Sequence, residues 1–393
     1  MPFFQDPLAI FAILMLNIII CEQLTKLPYF RAFGSALLVI ITTAITANLG
    51  IIPSASTPAP LYDGIFTYLA PLSIFYLLLT VNLRGLKKAG APMILFFLLG
   101  SIGTMLGVLA GMYLIKGPET LGDSFFALGG MFTGTYIGGS SNFNALALHY
   151  NVNKEGNLYA AATAADNIIT ALWMVVTLLL PPLLQRYFPR QQKGPLEAEE
   201  HQRLTDEAHA HINDQEQLNP LELSILLGVG ALALYISQWF ASLFPGIPMI
   251  IFLTTLALIM AQFPLIHRLR GLRLIGMFCI YLFLAVIGAY CDLAALMRDG
   301  QLAISMLMLM LVTVLVLVHG TVLFGIGGLL KQDWDILSIA SQANIGGSAS
   351  ALALSKGLNR ADLHLPAILV AALGNAVGTY LGILIAEYLR TWG

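Results

Sequence analysis

The residues best suited to chemistry cluster at a pair of matched breaks. Ile137-Gly138-Gly139-Ser140 recurs as Ile345-Gly346-Gly347-Ser348, 208 residues later, and the same offset carries Asn167 onto Asn375. Ala145-Leu146-Ala147-Leu148 is matched by Ala351-Leu352-Ala353-Leu354. Polar side chains crowd the first break (Thr133, Thr135, Tyr136, Ser140, Ser141, Asn142, Asn144) and the second (Ser341, Gln342, Asn344, Ser348, Ser350). Hydroxyls and carboxamides offer both donors and acceptors. With unpaired backbone carbonyls they suit Na⁺, while N–H groups at half-helix starts suit an anion. Small polar residues also let helices pack closely and bond one another. The duplication of the whole cluster favours a ligand site over that bland reading.

Asp166 is the sharpest single residue. It lies in Ala160-Ala161-Ala162-Thr163-Ala164-Ala165-Asp166-Asn167, inside an apolar run. A carboxylate at a bilayer centre costs about 2.5–3.5 kcal/mol on insertion scales and is a functional candidate by default. It is expected to bind Na⁺, with Asn167 beside it, or to carry a proton; a structural hydrogen bond is the competing role. Its counterpart at the 208-residue offset is Gly374. Asn167 and Asn375 are expected to brace the breaks or to coordinate the ion. His319 suits either a proton relay or a satisfied core histidine. Glu22 and Glu387 lie near segment ends, where they reach the interface.

The elements that must position these groups are apolar helices. The chain has 393 residues, 58% hydrophobic and 10% charged, with mean hydropathy +0.81. Soluble domains carry roughly 25% charged residues. An all-α polytopic membrane protein is expected, in contact with the lipid bilayer. The net charge of −2 gives no reason to expect nucleic acid as a partner. Cys21, Cys279 and Cys291 show neither metal nor disulfide spacing. The first apolar segment follows Asp6 with no Lys or Arg ahead of it, unlike a cleavable signal, and is expected to remain as a helix.

Twelve apolar segments of spanning or near-spanning length are legible: 7–26, 35–52, 64–82, 91–115, 122–149, 157–184, 219–242, 247–263, 272–291, 301–330, 335–355 and 363–389. They define a first membrane repeat (1–184), a polar cytoplasmic linker (185–218) and a second membrane repeat (219–393), each with about six hydrophobic segments. The linker holds Glu197, Glu199, Glu200, His201, Asp206, Glu207, His209 and His211, a composition that reads as a solvated tether rather than a metal site.

Lys and Arg concentrate in cytoplasmic loops. If all twelve segments cross, 9 of the 19 basic residues fall inside and 10 outside, which shows no bias. If 122–149 and 335–355 enter and return on one side, 15 of the 19 fall inside, leaving Lys116, Lys154, Arg298 and Arg390 outside with both termini. Each half then crosses an odd number of times, which makes the two repeats inverted. Backbone that turns back inside a membrane survives only where it is buried or lines a cavity. Gly138-Gly139 and Gly346-Gly347 allow such turns. Two re-entrant hairpins are therefore expected; discontinuous helices that do cross are the alternative.

At Gly138-Gly139-Ser140-Ser141-Asn142, Ala145-Leu146-Ala147-Leu148 and Asp166-Asn167 the chain resembles the bacterial and plastid membrane family catalogued as domain of unknown function 819, over nearly its full length. That family is grouped with bile acid:sodium symporters and cation/proton antiporters. The resemblance implies inverted repeats, a scaffold, a moving core with paired discontinuous helices, and a homodimer. The antiporters carry adjacent acids or Asn-Asp at the ion site, whereas here the order is Asp166-Asn167.

The expected function is secondary active transport of a small polar or anionic solute, coupled to Na⁺ or H⁺, in a bacterial inner membrane. The hairpin core would slide or rock against a scaffold of segments 1, 2, 7 and 8. The alternative is a cation/proton antiporter with no organic substrate. Neither an HExxH helix nor a GxSxG elbow occurs, so no enzyme activity is expected. No cofactor is expected beyond a bound Na⁺.

Overall fold

The computed structural model describes residues 2–27, 30, 34–54, 57, 59–83, 85–190, 204, 219–291 and 301–393. The acidic and histidine residues of the linker named above lie outside the described residues, as does Arg298. The described residues hold helices and connecting turns, with no strand. Each half supplies seven helices of ten residues or more, in matching order. The first half has α1 (Pro7–Leu24), α2 (Gly34–Asn48), α3 (Pro60–Leu79), α4 (Ala91–Leu114), α5 (Phe125–Gly138), α6 (Ser140–His149) and α7 (Gly156–Tyr187). The second has α8 (Pro220–Leu243), α9 (Met249–Met260), α10 (Leu272–Ala289), α11 (Gln301–Leu329), α12 (Trp334–Ile345), α13 (Gly347–Gly357) and α14 (His364–Arg390).

Local sequence explains the boundaries. Asp6 caps α1 by accepting from the N–H groups of Leu8 and Ala9, and Asn219 caps α8 through Glu222. Proline opens α1, α3 and α8, where its missing N–H costs nothing. In α3 a π turn at Ile65–Leu69 lies just ahead of Pro71, which has no N–H for the regular ladder.

Among the described residues, eight helices are long and apolar enough to cross a membrane, and α2 and α9 are shorter apolar helices. Their outward faces are apolar too, as with Leu95, Leu98, Ile102 and Leu106 on α4 and Leu172, Val175, Leu179 and Leu183 on α7. Water would not sustain so continuous an apolar exterior, whereas acyl chains do. The chain is an integral membrane protein.

Equivalent helices of the two halves run antiparallel where they meet. Tyr62, at the start of α3, packs on Tyr290 beyond the end of α10, while Leu77 near the end of α3 touches Gly276 near the start of α10. Along α4, Gly103, Gly107 and Gly111 lie against His319, Leu315 and Leu311 of α11 in turn. A methyl on Gly107 would sit 2.8 Å from the Leu315 Cα, so the two backbones touch.

The helices sort into two bundles. One comprises α1–α3 with α8–α10, the other α4–α7 with α11–α14. The outer bundle thus includes the third segment of each half, beyond the scaffold of four expected from sequence. In the inner bundle α5 packs on α14, and α12, its counterpart, packs on α7.

The α5–α14 contact is a reciprocal glycine seam. Gly130, Gly134 and Gly138 face Gly374, Gly378 and Gly382, each set spaced by four. A methyl on Gly374 would lie 2.1 Å from the Ile137 carbonyl oxygen, and one on Gly130 would lie 2.8 Å from that of Gly382. Only hydrogen fits, which lets the main chains meet. Gly374→Ala should therefore lower stability by about 1–3 kcal/mol, as overpacking does. Gly228→Ala on α8, with nothing within 4 Å, should be neutral or stabilising, since alanine favours helix. Thermal denaturation of the detergent-purified protein compares the two.

Candidate functional site

The half-helices α5 and α6 contain 14 and 10 residues, and α12 and α13 contain 12 and 11. At 1.5 Å per residue the longest reaches about 21 Å, less than a hydrocarbon core of about 30 Å. Each pair turns at a glycine with positive φ, +84° at Gly139 and +71° at Gly347, a region that side chains other than glycine disfavour.

Both pairs return to the end they started from. At the base of the first, Ser124 donates to Glu155 at 2.7 Å, and the rings of Phe126 and Tyr150 meet at 5.5 Å. Those residues flank the start of α5 and the end of α6. Farther in, Gly134 of α5 lies against Leu146 of α6. At the base of the second, Arg360 beyond α13 reaches Asp333 at 2.7 Å and Asp335 at 2.8 Å, at the start of α12. The two bases therefore show helical hairpins and exclude broken helices that run straight on.

The bases lie at opposite ends of the bundle. Helix α7 leaves the first base at Gly156 and reaches the second, where the Arg190 guanidinium lies 5.1 Å over the Trp334 ring. Helix α14 leaves the second base at His364 and reaches the first, where Arg390 lies 4.4 Å over Phe126. Burial opposes the charge on Arg360, yet its hydrogen bonds to Asp362, Asp333 and Asp335 raise its pKa. Burial also pushes the Asp335 carboxyl up, against the pull of Arg360. The second base is thus a buried ionic clamp, whereas the first is largely aromatic.

One helix braces both inbound arms. On α4, Ser101 donates to the Asn344 carboxamide at 2.8 Å, and Thr104 donates to the Tyr136 carbonyl at 3.1 Å. Asn344 also donates to Phe97 O and Ala340 O, so both of its polar atoms are engaged. Asn144 accepts from the Tyr159 hydroxyl. Asn142 accepts from Thr379 at 2.6 Å, while its Nδ2 is buried without a partner. Thr135 is buried, and its carbonyl accepts the Gly139 N–H at 2.7 Å. Ser140 is exposed, and Ser141, Gly347 and Ser348 are half-buried near the turns. Asn375 lies beside Gly139 on α14, and Asn167 is engaged on α7.

Helix α7 carries a stripe that runs past both hairpins: Tyr159, Thr163, Asp166, Thr170, Trp173 and Thr177, at alternating steps of four and three. Tyr159 meets Asn144 of the first hairpin. Trp173 donates to Ser341 at 2.9 Å, and Thr177 donates to Gln342 at 3.2 Å, both on the second hairpin. Between these contacts sits Asp166. The hydroxyls of Tyr136 and Thr170 lie beside its carboxyl, yet its Oδ1 is buried with no well-formed hydrogen bond. The sequence flagged Asp166 but not Thr170, Trp173 or Thr177; the three- and four-residue spacing was the available signal.

His319 is fixed by its neighbours. Its Nδ1 lies 2.9 Å from the Gly100 carbonyl, which only accepts, so Nδ1 carries the proton. Its Nε2, 2.9 Å from Ser341 Oγ, then accepts from that hydroxyl, which itself accepts from Trp173. Every member is satisfied, and the imidazole is a neutral brace between α4, α11 and α12.

Fold and site define a helical integral membrane protein whose core holds two opposed helical hairpins. The chain belongs to the family described as protein of unknown function (DUF819), whose model matches residues 8–392. It is 27% identical over 384 residues to YjcL of Bacillus subtilis (strain 168), described as an uncharacterized membrane protein; the match covers 93% of this chain and 92% of the relative.

The ionic base yields a prediction. Arg360 and its partners are only about a tenth exposed, so Arg360→Met strands buried carboxylates and should cost about 3 kcal/mol. Lys116→Met, breaking a pair with Glu119 whose side chains are 70% and 72% exposed, should change stability by under about 0.5 kcal/mol. Denaturation in detergent measures both.

Proposed function

We propose that this protein is a secondary active transporter that moves a small polar or anionic solute, coupled to Na⁺ or H⁺, by alternating access. The observation that carries the reading is the buried Asp166 oxygen without a hydrogen bond, on the helix that flanks both opposed hairpins. An uncompensated carboxylate in a membrane core is costly, and a bound cation or proton removes the cost. The start of α6 directs N–H groups toward the interior and so supplies a partner for an anionic group.

The antiparallel pairing of α3 with α10 and of α4 with α11 supports inverted repeats. Inverted repeats give two similar conformations with opposite access, the basis of a carrier. The outer bundle would serve as scaffold and the inner bundle as the moving part. Arg186, Arg190, Lys331, Lys356 and Arg360 share the end of the second hairpin base, while Lys116, Lys154 and Arg390 share the other. By the excess of positive charge the second base faces the cytoplasm of a bacterial inner membrane and both termini face outward.

Cation/proton antiport without an organic solute is the second reading. It is favoured by the sequence of the two turns, where residues 133–144 and 341–350 contain no Lys or Arg to meet an anion.

Proteoliposomes distinguish the two. Under an imposed Na⁺ or proton gradient, solute uptake should be coupled to the ion, and Asp166→Asn should abolish the coupling with loss of at least about ten-fold in flux, as expected for an essential intramembrane carboxylate. Collapse of a pH gradient on adding Na⁺ or K⁺ alone would instead establish antiport. Unchanged coupled flux in Asp166→Asn would remove that residue from the mechanism.

A further inference from the structure

The 208-residue offset maps the packing of α5 on α14 onto the packing of α12 on α7, and the mapping exposes a substitution pattern. Gly130 and Gly134 correspond to Ser338 and Gln342, while Gly374 and Gly378 correspond to Asp166 and Thr170. Ser338 Oγ and Gln342 Nε2 are buried with no hydrogen-bond partner, and Asp166 Oδ1 and Thr170 Oγ1, which lie beside each other, are buried with no well-formed hydrogen bond. Ser338 and Gln342 are fully buried. One crossing is thus closed by glycine on both faces, and its counterpart carries unsatisfied polar groups at equivalent positions.

Packing alone does not account for this. Polar groups buried in a membrane core are costly unless they are hydrogen-bonded. Their ordinary partners are ordered water or a ligand. The atoms also spread along the helix rather than around a point. Thr177 contacts Gln342 and Trp173 contacts Ser341, so from Asp166 the series descends past Thr170 to Gln342 and then to Ser338, one turn nearer the second base. The glycine crossing also admits Asn142, which accepts from Thr379 of α14 and whose Nδ2, buried without a partner, is wedged between Gly138 and Gly378.

We propose that the α7–α12 crossing is a hydrated seam through which a monovalent cation reaches Asp166 from the end of the bundle that holds the second hairpin base. The seam offers hydroxyl, carboxamide and carboxylate groups, hard ligands suited to a hard cation. It holds a single negative charge, that of Asp166, which matches one positive charge. The purpose of the seam rests on the coupled-transport reading, but its existence is tested separately.

The probe is Ag⁺, a small monovalent cation that reacts with thiols. Ser338→Cys and Thr170→Cys, made in the full chain, preserve size closely, and Thr133→Cys places a thiol on α5 at a site as buried as Ser338, Thr170 being half-buried. The parent chain, whose Cys21, Cys279 and Cys291 are buried, supplies the background. Silver protection is read by later maleimide labelling of the unfolded protein. Ser338→Cys and Thr170→Cys should react at least about ten-fold faster than Thr133→Cys, because thiol reactivity follows access. Na⁺ in excess should slow the reaction at Thr170→Cys. Equal, slow reaction at all three positions would overturn the seam, and fast reaction indifferent to added cations would reduce it to a water pocket and overturn the cation assignment. Labelling needs no flux. Fast, Na⁺-sensitive reaction without uptake in liposomes would sink the transport reading alone, whereas coupled uptake with Ser338→Cys as slow as Thr133→Cys would sink the seam alone.

Discussion

A peptide group in hydrocarbon must find a partner inside the protein, and this constraint governs the architecture. Helices satisfy it along their length but not at their ends. Four half-helices end inside this bundle, so their termini must be covered by neighbouring helices. The braces follow from that need. Ser101 and Thr104, three residues apart on α4, hold one inbound arm each. Arg360 on one side and the Ser124–Glu155 contact on the other close the bases. With turns and bases fixed, the remaining freedom lies in how each arm meets the long helix of the opposite half.

There the halves diverge. Along α14 the contact is main chain against main chain, with no space for a methyl at Gly374 or Gly138. Along α7 the contact uses the tips of Trp173 and Thr177, and polar groups take the place of glycine. A duplicated fold thereby acquires one crossing closed by glycine and one lined by polar side chains. Asp166 occupies the polar one, and Gly374, its counterpart, closes the other.

Much of this was legible in the sequence, for stated reasons. The breaks at Gly139 and Gly347 repeat, and a charge within an alanine-rich run is conspicuous, so Asp166 stood out. The distribution of Lys and Arg pointed to two segments that fail to cross, and both of those segments fold back as helical hairpins. What hydropathy could not supply was pairing across the chain. Ser124 with Glu155 and Arg360 with Asp333 are contacts between loops of ordinary composition. His319 read equally as relay or brace until Gly100, Ser341 and Trp173 fixed its tautomer. The glycine seam was written in four-residue steps at 130, 134 and 138 and at 374, 378 and 382, but spacing alone does not say which helix lies opposite.

A carrier of this design requires the two hairpins to enter from opposite faces of the membrane. Lys154 follows the returning arm of the first, and Lys356 ends the returning arm of the second; both are exposed. The direct measurement is side-selective labelling of Lys154→Cys and Lys356→Cys with an impermeant thiol reagent, in right-side-out and inside-out vesicles. The structure predicts that each is labelled from one face only and that the two faces differ. Labelling of both from the same face would contradict the opposed hairpins and the carrier reading built on them.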